Sequence, residues 1–331
     1  MSLMQPNQPY RFSVAPMMDW TDRHCRMFHR ALSQKARLYT EMVTADAVIH
    51  GDRDRLLGYH PDEHPLVLQL GGSDPAKMRQ AAILASEYGY AEVNINCGCP
   101  SDRVQAGAFG ACLMRAPQRV AACYRAMAEA VDIPVTVKCR LGVDKDDPRT
   151  SLFTFVRTLA EAGCTVFIVH ARKAWLKGLS PKENRDIPPL DYDLVADLKQ
   201  AWPKLSIILN GGLDSIDACH QALQSFDGVM LGRAAYQAPG LLSKVDSAFF
   251  DTGHAPDIMA ALARYRPYMQ SQLAAGVNLH AMTRHMLGLF AGLPGARAYR
   301  RYISENATRP GADLAVFDEA VGYVRCSEGV F

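Results

Sequence analysis

The stretch TVFIVHAR, residues 165–172, is a short apolar run that ends in a histidine and an arginine. It lacks polar alternation, which is typical of a strand in a parallel sheet whose two faces are both buried. After a helix-like segment comes LSIILNGG, residues 205–212, a second run of the same kind that ends in glycines. This strand–helix–strand order predicts a parallel α/β architecture.

The same unit recurs along the first 250 residues. The other apolar runs are RFSVAPM (11–17), LYTEMV (38–43), PLVLQLGG (65–72), EVNINCG (92–98), PVTVKCRLG (134–142) and GVMLGR (228–233). Helix-start signals such as Asp74-Pro75 and Asp214-Ser215 lie between them. Eight strand–helix units in about 240 residues predict a (β/α)8 TIM barrel, with a doubly wound sheet as the alternative.

The pattern changes after Phe250. DTGHAPD (251–257) has the composition of a linker, and no strand-like run follows it. The helical segments beyond it are IMAALARYRPYMQSQLAAG (258–276), HAMTRHMLGLFAG (280–292), ARAYRRYISENAT (296–308) and LAVFDEAVGYVRC (314–326). We therefore expect a barrel domain over residues 1–250 and a small all-helical domain over 255–331.

Composition excludes several classes of protein. The 49% hydrophobic content of the 331 residues suffices for a large core, and a net charge of +2 favours no class of partner. The first residues, MSLMQPNQPYRF, do not resemble a signal peptide, and no apolar run approaches the ~18 residues that span a bilayer. We expect a cytoplasmic protein that does not enter a membrane.

The cysteines indicate reduced thiols. There are nine, an odd number, and they are scattered among apolar neighbours, which does not suit a disulfide framework. Cys97 and Cys99 form one close pair, but no second pair completes a zinc site, so we expect no metal.

Polar residues and glycines collect at the carboxyl ends of the predicted strands, where a TIM barrel carries its chemistry. In chain order they are Met17, Asp19, Glu41, Gln69, Asn94, Asn96, Cys99, Lys138, Arg140, His170, Arg172, Asn210, Gly211, Gly212, Gly232 and Arg233. The glycines and arginine that follow the last two strands predict a phosphate site, because glycine leaves backbone N–H groups uncovered. Gln69, Asn96, Lys138 and His170 suit the edges of a flat heterocycle such as an isoalloxazine ring.

These motifs as a set resemble the FMN-dependent tRNA-dihydrouridine synthases. The resemblance rests on APMMDWTDRHCRMF (15–28), TEMVT (40–44), QLGG (69–72), NINCGCPSDRV (94–104), GAFGACLM (107–114), VKCRLG (137–142), VHARKAW (169–175), NGG (210–212) and LGR (231–233). LSPKENRDIPPLDY (179–192) and TRHMLGLFAGLPGARAYRRYISENA (283–307) are similar to subfamily A, whose members reduce uridine 20, and often 20a, in the tRNA D-loop. Whether 20a is also modified here stays open.

The resemblance implies roles for particular residues. The FMN-binding set would be Ala15, Pro16, Met17, Gln69, Lys138, His170, Asn210, Gly211, Gly212, Gly232 and Arg233. Cys99 would be the catalytic residue: NADPH reduces the flavin, a hydride passes to C6 of uracil, and the thiol gives a proton to C5. An ordinary thiol suits this role because it is mostly protonated at pH 7.

The resemblance also implies a flipped uridine and a cationic track for the rest of the tRNA. Asn96 would contact RNA at the target base, and the arginines of 297–301 would meet phosphates, with Tyr299 and Tyr302 available for stacking. The expected RNA-binding residues are Asn96, Arg103, Arg172, Lys173, Lys182, Arg185, Arg297, Arg300 and Arg301. We expect a monomer.

Three other functions stay open at this point. An FMN barrel could reduce a small enone or dihydropyrimidine, although it would have no use for a basic helical domain. A phosphate-binding aldolase could use Lys138 as a Schiff-base nucleophile. A third possibility is a flavin-binding or RNA-binding protein without catalysis.

Overall fold

A closed barrel of eight parallel strands forms the first part of the chain. The computed structural model describes residues 9–102, 104, 107–250, 252–253 and 257–324. The strands are β1 (Phe12–Val14), β2 (Arg37–Thr44), β3 (Leu66–Gly71), β4 (Glu92–Cys97), β5 (Val135–Cys139), β6 (Val166–His170), β7 (Ser206–Asn210) and β8 (Gly228–Leu231). Each strand pairs with the next, and β1 pairs with β8, which confirms the predicted TIM barrel.

Helices lie between the strands and after β8. They are α1 (Arg23–Leu32), α2 (Ala45–His50), α3 (Arg53–Leu57), α4 (Pro75–Glu87), α5 (Pro117–Ala128), α6 (Pro148–Glu161), α7 (Tyr192–Ala201), α8 (Ile216–Ala222), α9 (Arg233–Gln237) and α10 (Val245–Phe249). The predicted start signals are N-caps: Asp74 accepts from the N–H groups of Ala76 and Lys77, and Ser215 accepts from that of Ala218.

The barrel interior has an apolar part and a polar part. The apolar cluster consists of Ala15, Tyr39, Val67, Val166, Ile168, Ile208 and Met230. On β3 to β5, by contrast, Gln69, Glu92, Asn94 and Thr136 are all buried, and register pairs Gln69 with Asn94 and Asn94 with Thr136. Buried polar groups of this kind must be hydrogen-bonded to be tolerated.

The last segment is helical, as predicted. Its helices are α11 (Ile258–Ala274), α12 (Leu279–Thr283), α13 (Ala296–Asn306) and α14 (Leu314–Gly322). Helix α11 packs on α1: Arg264 donates to the carbonyl of Ala31, and Tyr265 donates to that of His24. One continuous apolar cluster joins these helices to the barrel, and the division of the chain at 250–255 stays a prediction.

The predicted helix over 280–292 is wrong beyond Thr283, because residues 284–295 form successive turns. This segment packs its backbone directly on the end of α9. A Cβ on Gly288 would lie 1.8 Å from the carbonyl oxygen of Gln237, and Gly292 and Gly295 both have φ of 87°. Glycines that meet a neighbouring backbone or adopt left-handed conformations end a helix.

Eight cysteines in the described ranges are free, which agrees with the expected reduced thiols. Among these same residues, no helix is both long enough and apolar enough to cross a bilayer. The described residues also contain no group of three or more His, Cys, Asp or Glu side chains arranged to hold a metal ion.

Candidate active site

The strand-end residues meet at one mouth of the barrel. Strand register places Asn96 beside Lys138 and His170 beside Asn210. On the β8 side, the backbone N–H of Ala15 donates to the carbonyl of Leu231 at 2.7 Å, which brings the start of the β1 loop next to β8. The residues predicted from separate motifs therefore converge at the carboxyl ends of the strands.

Positive charge is concentrated around His170. Burial, Arg140 and Lys138 together hold the pKa of this imidazole well below its ordinary value, so the ring is neutral at pH 7. Burial and the Arg140 charge also lower the pKa of Lys138 to about 8. Arg172 and Arg185 belong to the same group of charges, because both also lower the pKa of His170. Cations that disfavour one another in this way form a site for an anion.

Two guanidinium nitrogens in this cluster have no partner. Among the described residues, Arg172 Nε and Arg185 Nε are buried without a hydrogen bond. Burial and the charge of Arg233 lower the pKa of Arg185. Buried donors without acceptors are costly, so an anionic or acceptor-rich ligand would stabilise this arrangement.

The residues predicted to bind a phosphate lie on the loops after β7 and β8. Gly211 and Gly212 have φ of 110° and 73°, and a Cβ on Gly211 would lie 2.7 Å from Cδ2 of His170. At Gly232 the situation differs, because a Cβ would approach no protein atom closer than 3.8 Å. Packing within the protein therefore does not require glycine at 232, whereas a ligand close to the backbone would. Arg233 follows directly and pairs with Asp186 at 2.7 Å.

The β1 loop is held by its own threonine. The Met17 backbone N–H donates to Thr21 Oγ at 3.0 Å, and the Thr21 hydroxyl donates back to the Met17 carbonyl at 3.1 Å. Ala15 is buried, while Pro16 and Met17 are partly exposed. The turn that contains Ala15, Pro16 and Met17 is thus fixed at the carboxyl end of β1.

Cys99 lies on the loop after β4, and Asn96 fixes the start of this loop. The Asn96 side-chain oxygen accepts the backbone N–H groups of Gly98 and Cys99, each at 3.0 Å. The Cys99 carbonyl accepts from the Ala111 N–H at 2.9 Å, and its thiol, which is partly exposed, lies 3.6 Å from the Ser101 hydroxyl. Asn96 was predicted to contact RNA; in the structure its side chain supports the Cys99 loop and the neighbouring Gln69.

Arg140 has a structural role at the site that the sequence-based assignment omitted. Its buried guanidinium donates to the carbonyl oxygens of Gly98 at 3.2 Å, Asn184 at 2.8 Å and Lys173 at 3.3 Å. Arg140 thereby joins the Cys99 loop to the long loop after β6. Its position at the end of β5, in the motif VKCRLG, was the available signal.

A model of the family described as "Dihydrouridine synthase (Dus)" matches residues 13–321 of the chain. The chain belongs to the dihydrouridine synthase family. The match spans the barrel, the Cys99 loop and the helical segment, so the resemblance drawn from the motifs is confirmed.

Relatives within the dihydrouridine synthase family are similar over nearly their whole length. The chain is 58% identical over 311 residues to a tRNA-dihydrouridine(20/20a) synthase of Xanthomonas axonopodis pv. citri (strain 306), covering 94% of this chain and 93% of that protein. It is 55% identical over 316 residues to the protein of the same name in Escherichia coli (strain K12), covering 95% and 91%.

Solved structures support the fold alone. The old yellow enzyme homologue from Zymomonas mobilis has a TM-score of 0.54 at 12% identity, covering 76% of this chain and 91% of that one. Morphinone reductase has a TM-score of 0.50 at 15% identity, covering 76% and 88%.

The expected RNA-binding residues of this dihydrouridine synthase family member fall in two places. Arg172, Lys173 and Arg185 are partly buried in the loop after β6, where Lys173 donates to the Asp146 carbonyl at 2.7 Å and Arg172 donates to that of Pro188. Lys182 in the same loop is exposed. Arg103 lies outside the described residues.

The second place is α13. Arg297, Arg300 and Arg301 are exposed, and none forms an ion pair with an acid in the part of the chain that the structure describes. Tyr299, expected as a stacking residue, is instead fully buried, with its ring 4.9 Å from that of Phe290. Its burial orients the arginines toward solvent because they occupy other faces of the helix.

Proposed function

We propose that this protein reduces the C5–C6 double bond of uridine to 5,6-dihydrouridine in the D-loop of tRNA, at position 20 and with 20a left open, using FMN and NADPH. The observation that carries the proposal is the common location of Cys99 and the partly buried cation cluster at one barrel mouth. Asn96, which accepts the backbone N–H of Cys99, is paired in register with Lys138, and Arg140 of the cluster donates to the carbonyl of Gly98, the residue before Cys99. The full-length similarity to tRNA-dihydrouridine(20/20a) synthases supports the choice of substrate.

The residues at the mouth fit FMN. The open backbone at Gly232 and the cation of Arg233 suit its phosphate. The full set of residues that would hold FMN is Ala15, Pro16, Met17, Gln69, Lys138, His170, Asn210, Gly211, Gly212, Gly232 and Arg233. When bound, FMN supplies a hydride to the pyrimidine ring.

The chain's own residues supply the other parts of the reaction. Cys99 donates a proton to C5 of uracil, which accounts for its partly exposed thiol at the barrel mouth. Lys138 stabilises negative charge on the reduced cofactor, since it makes no hydrogen bond or ion pair with another described residue. His170 remains a neutral donor or acceptor because of its lowered pKa.

The exposed arginines of α13 bind tRNA phosphates, and Lys182, exposed on the β6 loop, supplies a further cation for the same purpose. Asn96, Arg103, Arg172, Lys173 and Arg185 stay as proposed contacts near the extruded base. Reduction by NADPH, a cytoplasmic location and a monomeric state complete the proposal. The family match favours this function over reduction of a small enone and over an aldolase, although the lowered pKa of Lys138 would also suit the latter.

The test uses purified protein, NADPH and tRNA that lacks dihydrouridine. We expect a yellow protein that forms dihydrouridine, detected by mass spectrometry of nucleosides. Cys99→Ala should retain reduction of its flavin by NADPH and lose about 10²- to 10⁴-fold in uridine reduction. Cys97→Ala is the matched control, because Cys97 is buried in the core two residues away, and it should retain activity.

A wild-type protein that NADPH reduces but that forms no dihydrouridine would overturn the proposed function. Wild-type rates in Cys99→Ala would instead remove only this residue from the mechanism.

A further inference from the structure

A chain of side-chain hydrogen bonds crosses the barrel interior and ends at the Cys99 loop. We call it the interior polar chain, and its members are Arg37, Glu92, Thr136, Asn94, Gln69 and Asn96. The segment from Glu92 to Gln69 is at most 1% exposed, and Asn96 at the mouth is 8% exposed. The chain therefore connects the closed end of the barrel with the residue that would act as the acid.

The first half of the interior polar chain begins at the ion pair between Arg37 and Glu92. Arg37 donates to one oxygen of Glu92 at 2.8 Å, and the Thr136 hydroxyl donates to the other oxygen at 2.5 Å. The Asn94 amide nitrogen then donates to the Thr136 oxygen at 2.8 Å. Burial raises the pKa of Glu92, and the Arg37 guanidinium opposes this rise.

The second half of the interior polar chain ends at the backbone of the Cys99 loop. Gln69 donates to the side-chain oxygen of Asn94, and Asn96 donates to that of Gln69, both at 2.8 Å. The side-chain oxygen of Asn96 accepts the backbone N–H groups of Gly98 and Cys99. The chain is thus continuous from Glu92 to the amide of Cys99.

The two ends allow one orientation of the amides between them. Arg37 forms an ion pair with Glu92, and a carboxylate can only accept, so the Thr136 hydroxyl donates to it and must accept from Asn94. Backbone N–H groups can only donate, so Asn96 must turn its oxygen toward Cys99 and its nitrogen toward Gln69. A flip of any amide would set donor against donor or acceptor against acceptor within a buried network, which is costly.

Resting on the proposed function of Cys99, we propose that Thr136 and Asn94 are positioning residues that hold the Cys99 loop in place through Gln69 and Asn96. Neither touches the loop itself. They act by fixing which end of the Gln69 amide faces Asn96, the residue that bonds the loop. Without Thr136 the amides are oriented from the loop end alone, and the loop is released from Asn96 more often.

The test measures how fast iodoacetamide alkylates Cys99 in FMN-free protein, by peptide mass spectrometry. Thr136→Val removes the hydroxyl with little change in shape, and Thr136→Ser restores it. We expect Cys99 alkylation to rise about fivefold in Thr136→Val, the factor that corresponds to one net hydrogen bond, and to return to the wild-type rate in Thr136→Ser.

Two controls separate loop positioning from general loss of stability. Thr158→Val is the matched variant, since Thr158 is a buried threonine whose hydroxyl donates within its own helix, at 2.8 Å to the Thr154 carbonyl. Cys219, fully buried in α8, reports global opening in the same samples. We expect neither Thr158→Val to speed alkylation of Cys99 nor Thr136→Val to speed alkylation of Cys219. Asn94→Ala breaks the next link and gives a second variant should Thr136→Val not fold.

Unchanged alkylation of Cys99 in both Thr136→Val and Asn94→Ala would overturn the proposal, as would equal acceleration at Cys99 and Cys219. Uridine reduction in a single turnover adds a second readout and should slow in Thr136→Val while flavin reduction by NADPH is unchanged. A wild-type protein inactive on tRNA would refute the proposed function, yet the alkylation rates would still decide whether the loop is positioned in this way.

Discussion

At the scale of single residues, burial among like charges controls the chemistry of the site. The pKa values of Lys138 and His170 are lowered for the same reason, because both side chains are desolvated and both lie near Arg140. Each therefore has a pKa below its ordinary value, and each would bind a proton more tightly beside an anion. The titration of Lys138, with a pKa of about 8, falls in an accessible range.

We predict that FMN affinity falls as pH rises above about 8. In the free protein Lys138 loses its proton through this range, whereas an anionic ligand raises its pKa and keeps it charged. Binding then requires proton uptake, which weakens affinity by up to about tenfold per pH unit. Quenching of flavin fluorescence between pH 7 and 9.5 would measure this.

Lys138→Met is the control for the Lys138 titration. It should bind FMN more weakly, and its affinity should lack the part of the pH dependence that Lys138 contributes. Identical pH profiles for the two proteins would contradict the assignment, since both retain Cys99 and the arginines.

At the scale of elements, the loops after the strands depend on close packing that only glycine permits. The loop after β7 turns at Gly211, where His170 lies directly over the position a Cβ would take. The loop after β6 contains another glycine with a positive φ, Gly178, at 83°, but no atom lies within 4 Å of its Cβ position. Comparing substitutions at Gly211 and Gly178 therefore separates the effect of steric contact on stability from the effect of backbone strain.

We predict that Gly211→Ala destabilises the protein more than Gly178→Ala. The second change adds only backbone strain, about 1 to 2 kcal/mol, whereas the first also forces the His170 ring to move. Urea denaturation of FMN-free protein gives the free energies of unfolding, and FMN titration should show weaker binding for Gly211→Ala alone. Equal losses in both variants would show that the contact with His170 is unimportant.

At the scale of the whole molecule, a charged junction fastens the C-terminal helices to the barrel. Asp22, the N-cap of α1, accepts from Arg284 at 2.6 Å and pairs with His285 at 3.1 Å. The ring of His285, itself buried, lies 3.1 Å from the hydroxyl of Tyr236 in α9. Burial alone would raise the pKa of Asp22, but hydrogen bonds and charge from His285, with Arg284, hold it below its usual range.

We predict that Asp22→Asn lowers the free energy of unfolding at pH 7 by about 1 to 3 kcal/mol. Asparagine still caps α1, so the loss comes from the junction. Because the pKa of Asp22 is lowered in the fold, its contribution is present above about pH 4 and is lost as pH falls below that value. Urea denaturation at pH 7, with tRNA and FMN titrations, would measure the effect.

Asp147→Asn is the matched control, since Asp147 is an N-cap whose carboxylate accepts the backbone N–H of Thr150 in the first turn of α6. Asp147→Asn should lower the free energy of unfolding only slightly. If Asp22→Asn is equally mild, the junction does not hold the helical segment. We expect FMN affinity to be unchanged in both variants and tRNA affinity to fall in Asp22→Asn.

The barrel and the order of its elements could be predicted from the amino-acid sequence. Uninterrupted apolar runs identify strands buried on both faces, and caps such as Asp74 identify where helices begin, because both signals are local. The residues at the strand ends, including Cys99, Lys138 and Arg233, were found for the same reason. Parallel strands in a closed barrel bring their carboxyl ends to one mouth.

The contacts that those side chains make could be read from the folded molecule alone. The turns after Thr283, the burial of Tyr299 and the loop contacts of Arg140 depend on backbone and side chains distant in sequence. So does the orientation of the interior polar chain, which depends on Glu92 at one end and the amide of Cys99 at the other. Hydrogen-bond polarity and steric contact are properties of the assembled neighbours, and no local pattern in the sequence records them.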